Sequence, residues 1–71
     1  MKLYLKLFFS SEGTPTLEIV KRARKAGFKP CVGYYDFVID FDTPEEYRRL
    51  LGNLHRMLEG TKAMYTVMTR E

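Results

Sequence analysis

Apolar and polar positions alternate through residues 2–9, with Leu3, Leu5, Leu7 and Phe9 on one side and Lys2, Tyr4, Lys6 and Phe8 on the other. A period of two is the pattern of a β-strand. Residues 10–13 form a turn, and Thr14-Pro15 then offers a capping hydroxyl followed by a proline at the first helical position, where the missing N–H costs nothing. Leu17, Val20, Ala23 and Ala26, with Ile19 beside them, recur at helical spacing as far as Gly27, which suits the left-handed residue just past a helix end. The spacing predicts a helix over 15–26.

Residues 28–32 contain Pro30, which cannot donate to a ladder, so a strand here belongs at a sheet edge. Gly33 supplies a turn into residues 34–41, where Tyr35, Phe37, Ile39 and Phe41 alternate with Tyr34, Asp36, Val38 and Asp40, predicting a further strand. Thr43-Pro44-Glu45-Glu46 is a capping box that opens a second helix. Tyr47, Leu50, Leu51, Leu54 and Leu58 form its apolar stripe, Glu45 and Arg49 are spaced to pair, and Gly60 ends it. Residues 62–69 read as a last strand. The order β-α-β-β-α-β predicts an α+β domain over residues 1–71. The arrangement is ferredoxin-like: a four-stranded antiparallel sheet with the first and third strands central and two helices on one face.

Two helices cover one face of such a sheet, and the other should then be polar. Instead it carries Tyr4 and Phe8 from the first strand, Tyr34 and Val38 from the third, and either Met64 and Met68 or Tyr65 and Val67 from the last. Contiguous apolar area left in water marks an interaction surface, and the commonest partner is a second copy. Tyr4, Phe8 and Val38 are therefore candidate dimer-interface residues, and a homodimer or larger homo-oligomer, a dimeric α/β barrel, is expected.

The run Gly33-Tyr34-Tyr35-Asp36-Phe37-Val38-Ile39, then Pro44-Glu45-Glu46-Tyr47 with Leu50, Leu51 and Leu54, then Gly60 followed by Thr66, resembles a known pattern. It is similar to the effector-binding (RAM) domain of the Lrp/AsnC transcription regulators over about residues 33–69. The resemblance implies a domain that dimerises sheet to sheet and binds small amino acids near the strand-turn glycine. It places Gly33, Tyr34 and Asp36 at the ligand turn and Thr66 on the closing strand. Gly33 would let backbone N–H groups approach a carboxylate, Asp36 would pair with an ammonium group, and Thr66 would supply one hydrogen bond. No helix-turn-helix is present among these residues, so direct reading of DNA is not expected and a partner transcription regulator is.

Composition narrows the classes. The chain has 71 residues, 45% hydrophobic and 14% aromatic, enough for a packed core and wrong for a disordered tail. Twelve Lys and Arg against nine Asp and Glu give a formal charge of +3, which permits nucleic acid without arguing for it. Lys21, Arg22, Arg24, Lys25 and Lys29 give five positive charges with no acid between Ile19 and Tyr35. A nucleic-acid-binding module using Lys21, Arg22, Lys25 and Lys29 with the sheet aromatics is thus the alternative function, set against a solvated helix face in which Arg22 pairs with Glu18. Cys31 is the single cysteine, so no internal disulfide and no all-cysteine zinc site can form.

His55 and Cys31, the one histidine and the one thiol, are far apart in sequence with nothing to orient them, so no enzyme is predicted. Asp36, Asp40 and Asp42 lack the compact loop of a calcium site, and neither metal nor cofactor is expected. No membrane span or cleavable leader is apparent, which makes a cytoplasmic location the expectation. The absence of Gln, a lone Asn and 30% charged residues resemble the balance of heat-adapted proteins.

Overall fold

A computed structural model describes all 71 residues. The alternation at the start of the chain becomes strand β1 (Lys2–Phe8), followed by helix α1 (Thr16–Lys25) and strand β2 (Lys29–Pro30). Strand β3 (Phe37–Asp40), helix α2 (Pro44–Leu58) and strand β4 (Met64–Arg70) complete the chain. The strands form one sheet in the order β2-β3-β1-β4, with every neighbouring pair antiparallel. The fold is therefore α+β, and no helix is long and apolar enough to cross a membrane.

One face of the sheet makes the core. Leu3, Leu5 and Leu7 of β1 are essentially sealed from water, and β3 sets Ile39 and Phe37 beside Leu3 and Leu5. Over them lie Ile19 and Ala23 of α1 and Leu54 and Leu58 of α2, with Phe28 and Phe41 closing the ends. At about 25 cal/mol per Å² of apolar surface removed from water, this cluster is the main driving force for folding.

The first helix departs from its predicted face. Leu17 is 74% exposed, whereas Ile19 and Ala23 are buried. Steps of three residues drift by about 60° each around a helix of 3.6 residues per turn, so a row through 17, 20, 23 and 26 cannot stay on one face. The predicted Thr14 cap is also absent: Pro15 occupies the cap position without a side-chain hydrogen bond. The Thr14 N–H instead donates to the Thr61 carbonyl at 3.1 Å. Gly13 makes this approach possible, because a Cβ there would stand 2.0 Å from the Thr61 carbonyl oxygen. Thr61, itself 1% exposed, donates its hydroxyl to the Leu58 carbonyl at 2.6 Å and accepts the Ala63 N–H at 3.1 Å. One buried threonine thus ties the end of α2, the approach to β4 and the turn before α1.

The capping residue of α2 is Thr43, whose hydroxyl accepts the Glu46 N–H at 3.1 Å as the sequence predicts. The Glu46 carboxylate, however, meets the Thr43 hydroxyl rather than its backbone, and Glu45 forms no ion pair with Arg49. Both sites are exposed, where such contacts contribute little.

The third strand is shorter than the 34–41 alternation predicts. Phe37, Val38, Ile39 and Asp40 are paired, but residues 33–36 leave the ladder as a loop. The cause is Asp36: its N–H donates to the Leu5 carbonyl while its carboxylate accepts the Leu7 N–H, both at 2.8 Å. A side chain has taken the place that the next backbone carbonyl would hold. β2 is likewise reduced from the predicted 28–32 to the pair Lys29–Pro30, and it does lie at a sheet edge.

Candidate functional site

The second face of the sheet has no helix over it. Register places Lys2, Tyr4, Lys6 and Phe8 of β1 beside Arg70, Met68, Thr66 and Met64 of β4, and Val38 beside Tyr4 on the other side. Of the two alternatives left by the sequence, Met64 and Met68 are the residues that face outward, while Tyr65 and Val67 pack against the core. Tyr35 also belongs here, contrary to its predicted alternation with Phe37. Once Asp36 ends the ladder, the Tyr35 ring turns over the open face to lie 5.6 Å from Tyr4, and its hydroxyl donates to the Met68 sulfur at 3.3 Å.

At the centre of this face sits Lys6. Its ammonium nitrogen is 3.7 Å from the Asp36 carboxylate, 5.3 Å from the centre of the Tyr34 ring and 5.9 Å from that of Phe8. Thr66 is its register partner on β4. Tyr34, Asp36 and Thr66, proposed for a ligand from their sequence pattern, therefore come from a loop and a distant strand to one basic residue that the pattern did not name. Lys6 went unnoticed because strand alternation marks it only as outward-facing. The signal that would have found it is cross-strand pairing, which needs the register.

Gly33 stands at φ 113° with nothing within 4 Å of the position a Cβ would take, so the turn uses its left-handed freedom and leaves its backbone open to solvent. On either side of it Val32 is fully exposed and Tyr34 67% exposed. Asp36 is half-buried, with one oxygen held by Leu7 and approached by Lys6. The cluster is an open surface. The two concavities of the chain, of about 340 and 360 Å³, are lined by other residues, one by Met1, Phe41, Thr43 and Tyr47 and the other by Lys2, Lys29 and Asp40.

The three predicted interface residues share the open face: Tyr4 and Val38 are half-buried there, and Phe8 is 46% exposed. Charge is heavier on this face than the apolar pattern predicts. Lys2, Lys6, Lys29 and Arg70 share this face with the rings, with Asp36 beside Lys6 and Asp40 opposite Lys2, and the Arg70 guanidinium is 5.8 Å from the centre of Tyr4.

The predicted basic set divides between the two sides of the molecule. Lys21 and Lys25 are exposed on α1, behind the sheet. Arg22 is a clamp between helices, donating to Glu18 at 3.4 Å and to the Met57 carbonyl at 3.2 Å. Lys29 alone accompanies the sheet aromatics, opposite Val38. Cys31 lies in the loop after β2 with its thiol donating to the Tyr35 carbonyl at 3.1 Å, and His55 is exposed on α2. Compared with protein-family models, with curated proteins and with solved structures, the chain matches none.

Proposed function

We propose that this protein is a small-ligand-responsive assembly module that binds an amino-acid-like zwitterion at the Lys6 cluster. Its fold is read as ferredoxin-like, and its assembly as a homodimer formed sheet to sheet in the manner of the Lrp/AsnC effector domain it resembles. The observation that carries the reading is the meeting of Tyr34, Asp36 and Thr66 around Lys6. An ammonium and a carboxylate 3.7 Å apart, with side chains 26% and 35% exposed, present the complement of an amino acid's own two charges. Their contact is longer than a charge-assisted hydrogen bond of about 2.7–2.9 Å, and partly solvated pairs contribute little, so a ligand displaces it at small cost. Gly33 adds backbone groups open to a carboxylate. A second copy laid on this face would cover the site, burying Phe8, Tyr34 and Met64, which one chain leaves 46%, 67% and 72% exposed.

Titration calorimetry with the common amino acids, singly and in pools, tests the reading. A ligand is expected to bind the wild type and to lose at least about tenfold in affinity with Lys6→Met or Asp36→Asn. The asparagine keeps an oxygen for the Leu7 N–H, so folding is retained. No heat and no thermal shift from any amino acid, with the protein folded, would refute it.

One observation favours a second reading. Rings interleaved with an excess of cations on an uncovered sheet are also what single-stranded nucleic acid uses, bases stacking while phosphates meet Lys and Arg. In this reading the surface is Tyr4, Phe8 and Tyr34 with Lys2, Lys6, Lys29 and Arg70, and the exposed lysines of α1 have no part in it. Binding of labelled oligonucleotides that weakens steeply with salt would favour it, and no binding at low salt would exclude it.

A further inference from the structure

The two edges of the sheet are treated differently. One edge is β2, two residues long and made of a lysine and a proline, both of which discourage pairing by another strand. The other is β4, seven residues from Met64 to Arg70 with no proline, no bulge and no charge before Arg70. Nothing in the chain pairs with its outer side.

The phase of the ladder says which groups are left over. Met1 and Phe41 exchange both backbone hydrogen bonds, at 3.1 and 2.9 Å, so the odd-numbered residues of β1 turn their backbone groups toward β3 and the even-numbered ones toward β4. The β4 residues opposite those even positions, Met64, Thr66, Met68 and Arg70, are therefore bonded to β1. Tyr65, Val67 and Thr69 point their N–H and C=O groups out of the sheet.

We infer that β4 pairs antiparallel with β4 of a second copy about a two-fold axis at Val67, joining two sheets edge to edge. In that register Val67 faces Val67 and Tyr65 faces Thr69, so every outward N–H meets an outward carbonyl. A slip of two residues leaves some of them unpaired. Thr66 then lies beside Met68, and Met64 beside Arg70, so the one charged residue of the strand faces an apolar neighbour. A parallel arrangement would set Arg70 next to Arg70. Tyr65 and Val67, half-buried at the margin of the core, would be covered further by their counterparts. This contact uses the sheet edge, not the face that carries the Lys6 cluster, and the two can coexist in a larger assembly.

Amide exchange read by NMR, at low and high protein concentration with the mass followed by light scattering, tests the inference. As the mass doubles, the Tyr65, Val67 and Thr69 amides should slow at least about tenfold while other amides keep their rates. Thr69→Pro removes an outward N–H without touching the bonds to β1, so it should remain folded by circular dichroism and lose the association. Unslowed exchange at these three amides in the concentrated sample would overturn the inference, whether the mass is that of a monomer or of a face-to-face dimer. The Thr69→Pro protein still carries Lys6, Asp36 and Gly33, so ligand binding by that variant tests the ligand reading separately.

Discussion

Leu5 and Lys6 are consecutive residues of one strand, yet they meet opposite surroundings. Leu5 is fully buried in the core cluster with residues of both helices, whereas Lys6, on the uncovered face, lies near two rings and a carboxylate and beside a threonine. On the helical face Leu3, Leu5 and Leu7 pack with the buried residues of both helices, and their contribution is to the stability of the fold. On the open face the chain holds Lys6 and Asp36 against each other loosely and leaves Met64, Tyr34 and Phe8 largely in water. The difference teaches where to look for function: buried apolar packing is concentrated on one side of a single sheet, and the solvent-facing rings and charges on the other.

Substitutions should separate the two faces, beginning with the largest effect. Leu5→Ala empties a fully buried position and should cost about 2–5 kcal/mol in urea unfolding. Thr61→Val strands the Ala63 N–H and removes a donor from the Leu58 carbonyl, with an expected loss of about 1–3 kcal/mol by the same measurement. Gly13→Ala forces its methyl against the Thr61 carbonyl and should cost a similar amount, about 1–3 kcal/mol. Lys6→Met, at the centre of the open face, should change stability by less than about 1 kcal/mol while removing ligand binding. Val32→Ser should be neutral to within about 0.5 kcal/mol, since Val32 is fully exposed. A large stability loss from Lys6→Met would break the contrast by making the cluster a structural clasp that holds the loop before β3 to the sheet.

The two kinds of face were not equally legible in the sequence. Leucine alternation in β1 and the Thr43 cap are local signals, and both appear in the structure as read. The turn of Tyr35 onto the open face was hidden, because it depends on Asp36 replacing a ladder carbonyl to Leu7, 29 residues away. Leu17 misled because an apolar residue at helical spacing can still fall off the buried arc. The candidate site was half visible: the pattern named Tyr34, Asp36 and Thr66. Only the register of β1 with β4 and the fold of the loop supplied Lys6, which Tyr34 and Asp36 approach and which Thr66 pairs with across the strands.

The central claim is that the open face is the working surface and Lys6 its centre. Backbone chemical-shift mapping of the wild-type protein against pooled amino acids tests it most directly. The account predicts saturable shifts concentrated at Lys6, Gly33, Tyr34, Asp36 and Thr66. Shifts confined to the two helices, or none with any pool, would contradict it.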